Sequence, residues 1–316
     1  MPGYLQLLFL LSVHVFKKEA VDMAIYEVHA GGRKDATNIF KQPVACGFTT
    51  IGLDHADLLG NTIQSIAGHK SGIMKRGTPA YSVVQPEAVA REVLEDEAMK
   101  LGCPLQFVEV GERLPDHPKL RLAVQKQNAS LAIELVNAFL RRRDDELDEG
   151  DVLDGTLQCD WPGRFQRIRK GTTDWYLDIA HNCLSLPIAL EWFRSEVTSS
   201  IGCSHASKRI LIFGHESARD TQDLISTIAR VCEQLELYFD LILLSPYKRY
   251  GVPVYESTVD EDAAYWRGIQ PQTQIECSSS FKAAVAKVEK RRFQGSQILI
   301  TGSTYLVGEA LATLRD

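Results

Sequence analysis

The alternation of short apolar runs with longer amphipathic stretches is the feature that most constrains the fold of this chain. In the second half, apolar runs predict strands, and helical periodicity between them predicts helices. The predicted strands are Trp175–Ile179, Arg209–Phe213, Leu241–Leu244 and Gln297–Thr301, and the predicted helices are Leu184–Glu196, Thr221–Leu235 and Phe281–Arg292. Strands that alternate with helices in this way form a parallel sheet with helices on both faces. The sequence therefore predicts an α/β fold for this half.

The first half shows the same alternation. Its apolar opening, Tyr4–Phe16, predicts a buried helix, because it lacks the basic start and cleavage site of a signal peptide and is too short to span a bilayer. Strands are predicted at Met23–Val28, Val44–Thr50 and Ala80–Val84, and helices at Thr62–Met74, from Glu87 onward and at Asn128–Leu140. The mixed-charge run Arg141–Asp151 predicts an exposed connection. Two α/β domains are expected, at residues 1–160 and 161–316.

Composition limits the class of partner. The chain has 316 residues, 45% of them hydrophobic, a formal charge of −6 and a pI near 5.8. No basic stripe stands out from this acidic background, so neither nucleic acid nor a membrane surface is an expected partner. The seven cysteines are odd in number, widely spaced and form no C-x-x-C, which predicts a reducing compartment.

Glu27 is a candidate metal ligand in the first half. It lies within an otherwise apolar strand end just before Gly31-Gly32, where a buried carboxylate is costly unless it is paired or coordinated. Magnesium takes such hard oxygen donors together with nucleotide phosphates. An ion pair with Arg33 is the alternative.

His55, after a predicted strand, and Lys70, in the next predicted helix, are two further candidates. Asp54-His55 opens the pattern D-H-x-x-x-L-G, and Lys70 stands in A-G-x-K-x-G-I. Residues at the carboxyl end of a strand commonly form the site of an open α/β sheet. A lone histidine more often satisfies a local hydrogen bond, and a lysine on a helix is by default exposed.

The second half carries its own polar motifs. Trp161-Pro162-Gly163-Arg164 ends in a guanidinium that can grip phosphate in bidentate fashion. Asp178 and His181 follow a strand in the order D-x-A-H-N, and Ser303 stands in Thr301-Gly302-Ser303, where it could simply cap the last helix.

Together, these motifs resemble those of folylpolyglutamate synthases, members of the Mur-type ATP-dependent ligase superfamily. The resemblance runs from Tyr4 to Leu314 and includes Gln125-x-x-Asn128-Ala129 and the closing T-G-S-x-x-L-V-G. It implies an incomplete Mur-ligase-type ATPase domain at 1–160 and a Rossmann-like C-terminal ligase domain at 161–316. The implied reaction is ligation of glutamate to a folyl-(poly)glutamate through an acyl phosphate.

The resemblance also implies residue roles. Glu27 and His55 would hold Mg²⁺, and Lys70, carbamylated, would support a second metal. The implied cofactors are ATP and Mg²⁺, with or without a monovalent cation. Asn128 would approach the nucleotide base, Arg164 and Asp178 would contact ATP, and Asp178, His181 and Lys70 would serve catalysis. Ser303 would lie near the incoming glutamate. The implied protein is a cytoplasmic monomer, with mitochondria as the alternative location.

The sequence departs from the family pattern at several points. No G-x-x-x-x-G-K-[ST] phosphate loop occurs in the 316 residues. We therefore expect a chain that is truncated at its N-terminus and weak in ligase activity. His29 and Ile179 replace glycines, Val124 replaces a histidine, and Gly214 replaces an asparagine. The glycine replacements matter where the backbone needs a positive φ.

Three hypotheses follow from these departures. The first is a folylpolyglutamate synthase. The second is a ligase for a non-folate carboxylate, and the third is an inactive remnant that binds glutamate or a partner. The absence of G-x-S-x-G, H-E-x-x-H and G-x-G-x-x-G argues against hydrolases and dehydrogenases.

Overall fold

The computed structural model describes residues 3–112, 114–199, 208–215, 218–249, 252–254, 259–291 and 295–315. The chain divides into two compact units, Met1–Cys159 and Asp160–Asp316. None of the helices within the described ranges is long and apolar enough to cross a membrane.

The first unit is built on a three-stranded parallel sheet. Its strands lie in the order β1 (Cys46–Phe48), β2 (Ala80–Val83) and β3 (Leu105–Val108). The helices are α1 (Tyr4–Lys18), α2 (Ala56–Leu59), α3 (Ile63–Lys70), α4 (Ala88–Leu101), α5 (Ala123–Leu140) and α6 (Glu149–Gln158). A core that includes Phe48, Ile66 and Leu94 fills the space between sheet and helices.

The second unit is built on a six-stranded sheet of β4 (Gln166–Lys170), β5 (Thr173–Leu177), β6 (Arg209–Phe213), β7 (Leu241–Leu244), β10 (Gln274–Cys277) and β11 (Gln297–Thr301), and a separate hairpin joins β8 (Tyr247–Arg249) and β9 (Val252–Val254). The strands of the sheet lie in the order β10-β7-β6-β11-β5-β4, and all pairs are parallel except β4 with β5. The helices are α7 (Ser185–Ser199), α8 (Ala218–Gln234), α9 (Val259–Ile269), α10 (Phe281–Lys290) and α11 (Thr304–Arg315).

The direction of the connections places helices on both faces of this sheet. The crossovers from β5 to β6, β7 and then β10 run one way across the sheet, and the return from β10 to β11 runs the other way. Since such crossovers are right-handed, α7, α8 and α9 cover one face and α10 covers the opposite face. The observed packing agrees, because α8 contacts both α7 and α9, whereas α10 contacts α11. The predicted α/β class is confirmed.

The prediction that the apolar opening is a buried helix is wrong in its second part. The helix forms as α1, but only Phe9 is buried, against the rings of Tyr26 and Phe40 at centroid distances of 5.3 and 6.0 Å. Apolar side chains surround the helix, so periodicity could not identify the face that packs. Large exposed side chains remain at Tyr4, Leu5, Leu7, Leu8, Leu10, Leu11 and Val15.

Other boundaries also differ from those predicted. Residues 23–28 lie in irregular backbone instead of a strand, because an apolar run alone does not supply a pairing partner. The run Arg141–Asp151 is only partly a connection, since α6 begins within it at Glu149, where Asp148 accepts a hydrogen bond from the Asp151 amide. Strand β5 ends at Leu177, two residues earlier than predicted.

Candidate functional site

The carboxyl edge of the sheet in the second unit gathers several of the predicted site residues. Strands β5 and β11 are neighbours, and Asp178 and Gly302 follow their last residues. The Ala180 carbonyl accepts hydrogen bonds from the Gly302 amide at 2.9 Å and from Thr301 Oγ1 at 3.1 Å. These bonds join the loop that carries His181 to the loop that carries Ser303.

Asp178 is the buried centre of this edge. Its side chain is almost fully covered, with 1% of the residue exposed, and both carboxylate oxygens accept backbone hydrogen bonds. Oδ2 accepts from the Phe165 amide at 3.0 Å, and Oδ1 accepts from the Ala180 amide at 2.9 Å. Burial raises the pKa of the Asp178 carboxyl, and the two amides, Arg164 and His181 oppose that increase.

The turn that carries Arg164 is held by its neighbours. Gly163 has a φ of +84°, and a Cβ there would lie 2.8 Å from Val307 Cγ1. The Gly163 amide donates to Gln166 Oε1 at 2.8 Å, and the Gly163 carbonyl accepts from the Ile179 amide at 3.0 Å. The Arg164 side chain is exposed, so the turn presents its guanidinium to solvent.

The contacts of His181 define its tautomer. Nδ1 lies 2.9 Å from the Ile179 carbonyl oxygen, which can only accept, so Nδ1 carries a proton. In the neutral ring Nε2 is then the acceptor nitrogen. The backbone amide of His181 donates to Ser185 Oγ at 3.2 Å, which fixes the start of the loop before α7.

Ser303 behaves as a helix cap. It is buried, with 6% exposed, and its Oγ accepts from the Tyr305 amide at 3.2 Å in the first turn of α11. The alternative that Ser303 caps the last helix therefore has direct support, while its role toward glutamate stays a prediction.

The structure accounts for the departures from the glycine and asparagine patterns. Neither His29 nor Ile179 has a positive φ, so each replaces glycine without backbone strain. Gly214 differs, because a Cβ at this position would lie 2.3 Å from the Ser245 carbonyl oxygen. The backbone at Gly214 has no room for the asparagine of the family pattern.

In the first unit, Glu27 lies exposed in irregular backbone, so the burial argued for its carboxylate does not occur. The alternative pairing with Arg33 is also wrong. Arg33 contacts the Glu97 carboxylate at 3.0 Å and the Gly68 carbonyl at 3.2 Å instead.

The Gly31-Gly32 turn rests on the carboxyl end of α3. The Arg33 amide donates to the His69 carbonyl at 2.8 Å, and a Cβ on Gly32 would lie 2.9 Å from the Lys70 carbonyl oxygen. The structure thus brings the loop after Glu27 against the backbone of Lys70, whose residue is half-buried.

Asp35 organises this loop. Its carboxylate accepts hydrogen bonds from the Thr37 amide and hydroxyl at 2.9 and 2.8 Å and from the Ala30 amide at 3.3 Å. Its Oδ1 also lies 3.4 Å from Nδ1 of His29. Burial raises the pKa of the Asp35 carboxyl, but these hydrogen bonds and His29 outweigh burial and hold that pKa below its usual value.

His55 and Asn128 are both exposed. His55 adopts left-handed backbone, with φ +53°, at the start of α2, and its Nε2 lies 3.9 Å from Asp54 Oδ2. Asn128 lies on the surface of α5, and Gln125, three residues earlier, accepts from the Leu122 amide at 3.1 Å to cap that helix.

Magnesium fits this donor set only together with its nucleotide. Among the described residues, no three His, Cys, Asp or Glu side chains are grouped so that they could hold a metal ion. Magnesium commonly takes one or two protein ligands and completes its shell with phosphates and water. Glu27 is a carboxylate of the kind that magnesium takes, and the roles of Glu27 and His55 as its ligands stay predictions.

Two residues that fix the backbone of this site lie outside the sequence motifs. Gln166 caps the Arg164 turn, and Ser185 fixes the His181 loop. The signal that could have found them is their position, since each lies within four residues of a predicted site residue and carries a side chain that bonds to backbone.

Comparison with known proteins identifies the family. No protein-family model matches the chain. The mitochondrial folylpolyglutamate synthase of Homo sapiens is 36% identical over 256 residues, which is 72% of this chain and 43% of that protein. The folylpolyglutamate synthase of Candida albicans is 30% identical, and the alignment covers 99% of this chain and 68% of that protein.

A solved structure shares the fold. The bifunctional folylpolyglutamate synthase/dihydrofolate synthase of Yersinia pestis, complexed with AMPPNP and a manganese ion, superposes with a TM-score of 0.75 at 21% identity, over 96% of this chain and 69% of that one. The chain therefore has the fold of this bifunctional synthase. On the sequence matches, the chain belongs to the folylpolyglutamate synthase family. It spans less than half the length of the human relative.

Proposed function

We propose that the protein acts as an ATP-dependent ligase that adds glutamate to a folyl-(poly)glutamate. The observation that carries this proposal is the 30% identity to the Candida albicans enzyme across 99% of the chain. The structure supports it with a polar cluster at the carboxyl edge of an α/β sheet, where such folds bind ligands.

In the proposed reaction, a carboxylate oxygen of the folyl substrate attacks the γ-phosphorus of ATP, which gives an acyl phosphate and ADP. The amino nitrogen of glutamate then attacks the acyl carbon, releases phosphate and loses a proton. The chain must hold anionic groups together and accept that proton, so basic and hydrogen-bonding side chains matter more than covalent catalysis.

The second unit supplies suitable groups. Arg164 presents a guanidinium that can contact a phosphate, and His181 presents Nε2 as an acceptor that can take a proton from the amine. Ser303 lies in the adjacent loop and is proposed to lie near the glutamate. The Asp178 carboxylate accepts hydrogen bonds from the amides of Phe165 and Ala180, and so it fixes the backbone next to Arg164 and His181.

The first unit is proposed to supply the nucleotide side of the reaction. Glu27 and His55 would hold Mg²⁺ that enters with ATP, and this ion would neutralise phosphate charge. Lys70, when carbamylated, would add an anionic oxygen ligand for a second metal, and Asn128 would contact the base. Cytoplasm, with mitochondria as the alternative, is proposed as the location.

A ligation assay on the purified chain tests the proposal. We expect slow formation of ADP and of folate extended by one glutamate, both dependent on magnesium and ATP. His181→Ala should abolish the extension, while Cys183→Ala, two residues later on an exposed side chain, should leave it intact. Failure both to bind Mg-ATP and to extend folate would overturn the proposal and favour a remnant that binds glutamate. Extension of another carboxylate, but not of folate, would favour the second hypothesis.

A further inference from the structure

The peptide group between Ile179 and Ala180 connects Asp178 to His181. Its N–H donates to Asp178 Oδ1 at 2.9 Å, and its carbonyl oxygen lies 2.9 Å from His181 Nδ1. The carboxylate therefore fixes the plane of the peptide whose oxygen accepts the imidazole proton. Each hydrogen bond polarises the next one in such a chain.

The other carboxylate oxygen acts in the same way on the Arg164 turn. Oδ2 accepts from the amide of Phe165, which belongs to the peptide directly after Arg164. Phe165 has a φ of +46°, a left-handed conformation that a bulky residue adopts only when its surroundings hold it there. One buried side chain thus fixes the peptide beside Arg164 and the peptide beneath His181.

We propose that Asp178 is a positioning residue that sets the tautomer of His181 through the Ile179–Ala180 peptide and keeps Nε2 as the acceptor. This role replaces the direct catalytic and nucleotide contacts that the family resemblance implies for Asp178. Its catalytic consequence rests on the proposed function, because Nε2 would receive the proton of the attacking amine. The positioning itself does not depend on that reaction.

The burial of the carboxylate supports this role. With 1% of the residue exposed and both oxygens engaged by amides, Asp178 has no open face toward a substrate. Hydrogen bonds to a charged group are also stronger than neutral ones where water is excluded. The peptide is further anchored through Ala180, whose carbonyl accepts from Gly302 and Thr301.

Nitrogen-15 NMR of the histidine-labelled protein tests the proposal. The His181→Gln spectrum assigns the His181 signals by their loss. In the neutral imidazole of the wild type, Nε2 should resonate as an unprotonated ring nitrogen and Nδ1 as a protonated one. Asp178→Asn keeps the shape but can accept only one of the two amide bonds, so Nε2 should shift toward the protonated range.

Asp174→Asn is the matched control. Asp174 lies on β5, the strand that ends directly before Asp178, and it is 8% exposed and pairs with Arg167 at 3.1 Å. Its loss therefore costs stability without touching the peptide beneath His181. The control should keep the wild-type tautomer. A neutral wild-type imidazole with its proton on Nε2, or an unchanged tautomer in Asp178→Asn, would overturn the proposal.

Two outcomes separate this inference from the proposed function. If the wild type adds no glutamate, the function fails, but the tautomer of His181 still decides the inference. If Asp178→Asn does not fold, hydrogen exchange in the wild type decides it, because the amides of Phe165 and Ala180 should both be protected. Fast exchange of the Ala180 amide would contradict its hydrogen bond to Asp178, and with it the proposal.

Discussion

At the scale of single residues, backbone geometry decides which departures from the family pattern the chain tolerates. His29 and Ile179 replace glycine where φ is not positive, so the side chains cost no strain. Gly214 lies where neighbouring backbone leaves no space. A motif does not distinguish these cases, because it records the residue type and not the conformation.

Gly214→Ala should lower the free energy of unfolding by about 1–3 kcal/mol, the usual cost of forcing a group into packed space. Its Cβ would lie 2.3 Å from the Ser245 carbonyl, and backbone cannot move aside as a flexible side chain can. Urea unfolding measures the difference. Gly268→Ala in α9 is the control, since its Cβ meets nothing within 4 Å and should leave the stability equal or higher. Equal effects of the two substitutions would show that the contact at Gly214 relaxes freely.

Asp35→Asn should destabilise the protein by about 1 kcal/mol or more at neutral pH, because the carboxylate accepts bonds from several amides of its loop. The folded pKa of Asp35 lies below 3.8, so its stabilisation is complete above that pH and is lost as the pH falls through the folded pKa. The free energies of unfolding of wild type and variant should therefore converge as the pH falls through the folded pKa of Asp35. A stability difference that does not depend on pH would rule out a contribution from the charge.

At the scale of elements, the sequence predicted the buried strands well. The runs at β6, β7 and β11 match their predicted bounds, because strands covered on both faces are continuously apolar. Strand β4, with Arg167, Arg169 and Lys170, was not predicted, since an edge strand with one wet face carries no such run. Strand β10 and helix α9 were missed as well.

The candidate site was predictable only in part, for a related reason. His181 and Ser303 could be placed at strand ends, and the parallel topology brings their loops together. The tautomer of His181 and the coverage of Asp178 depend on peptide planes, which side-chain types do not encode. The exposure of Glu27 could not be predicted from the sequence either. Its apolar neighbours suggested a buried strand, but they form no strand.

Comparison of two helix caps, Ser303 and Ser280, separates a structural role of Ser303 from a role in binding glutamate. Ser303→Ala and Ser280→Ala each remove a side-chain acceptor from the start of a helix, at 3.2 Å in both cases, so each should cost about 1 kcal/mol. Only Ser303→Ala should also raise the glutamate concentration needed for half-maximal ligation. If both variants keep wild-type kinetics, Ser303 is a cap and nothing more.

At the scale of the whole molecule, the exposed apolar side chains of α1 bear on the monomer, which stays a prediction. Exposed leucines such as Leu7 and Leu11, 52% and 56% exposed, lie on one side of the helix. Contiguous apolar patches promote association.

We expect the mean mass of the chain in light scattering to rise with concentration, and the double variant Leu7→Glu/Leu11→Glu to reduce that rise. The double variant Lys17→Glu/Lys18→Glu, at the end of the same helix, is the control for charge. A wild-type mass that stays at that of one chain over the whole concentration range would contradict this expectation.

The bonds around Asp178 have a consequence for how this site can change over time. The loops at the sheet edge are tied by peptide N–H and carbonyl groups, which every residue except proline provides. Exposed side chains such as that of Arg164 can therefore be exchanged while the frame keeps its shape. A lineage could alter what this edge binds through a few surface substitutions, whereas replacement of the buried carboxylate would alter several loops at once.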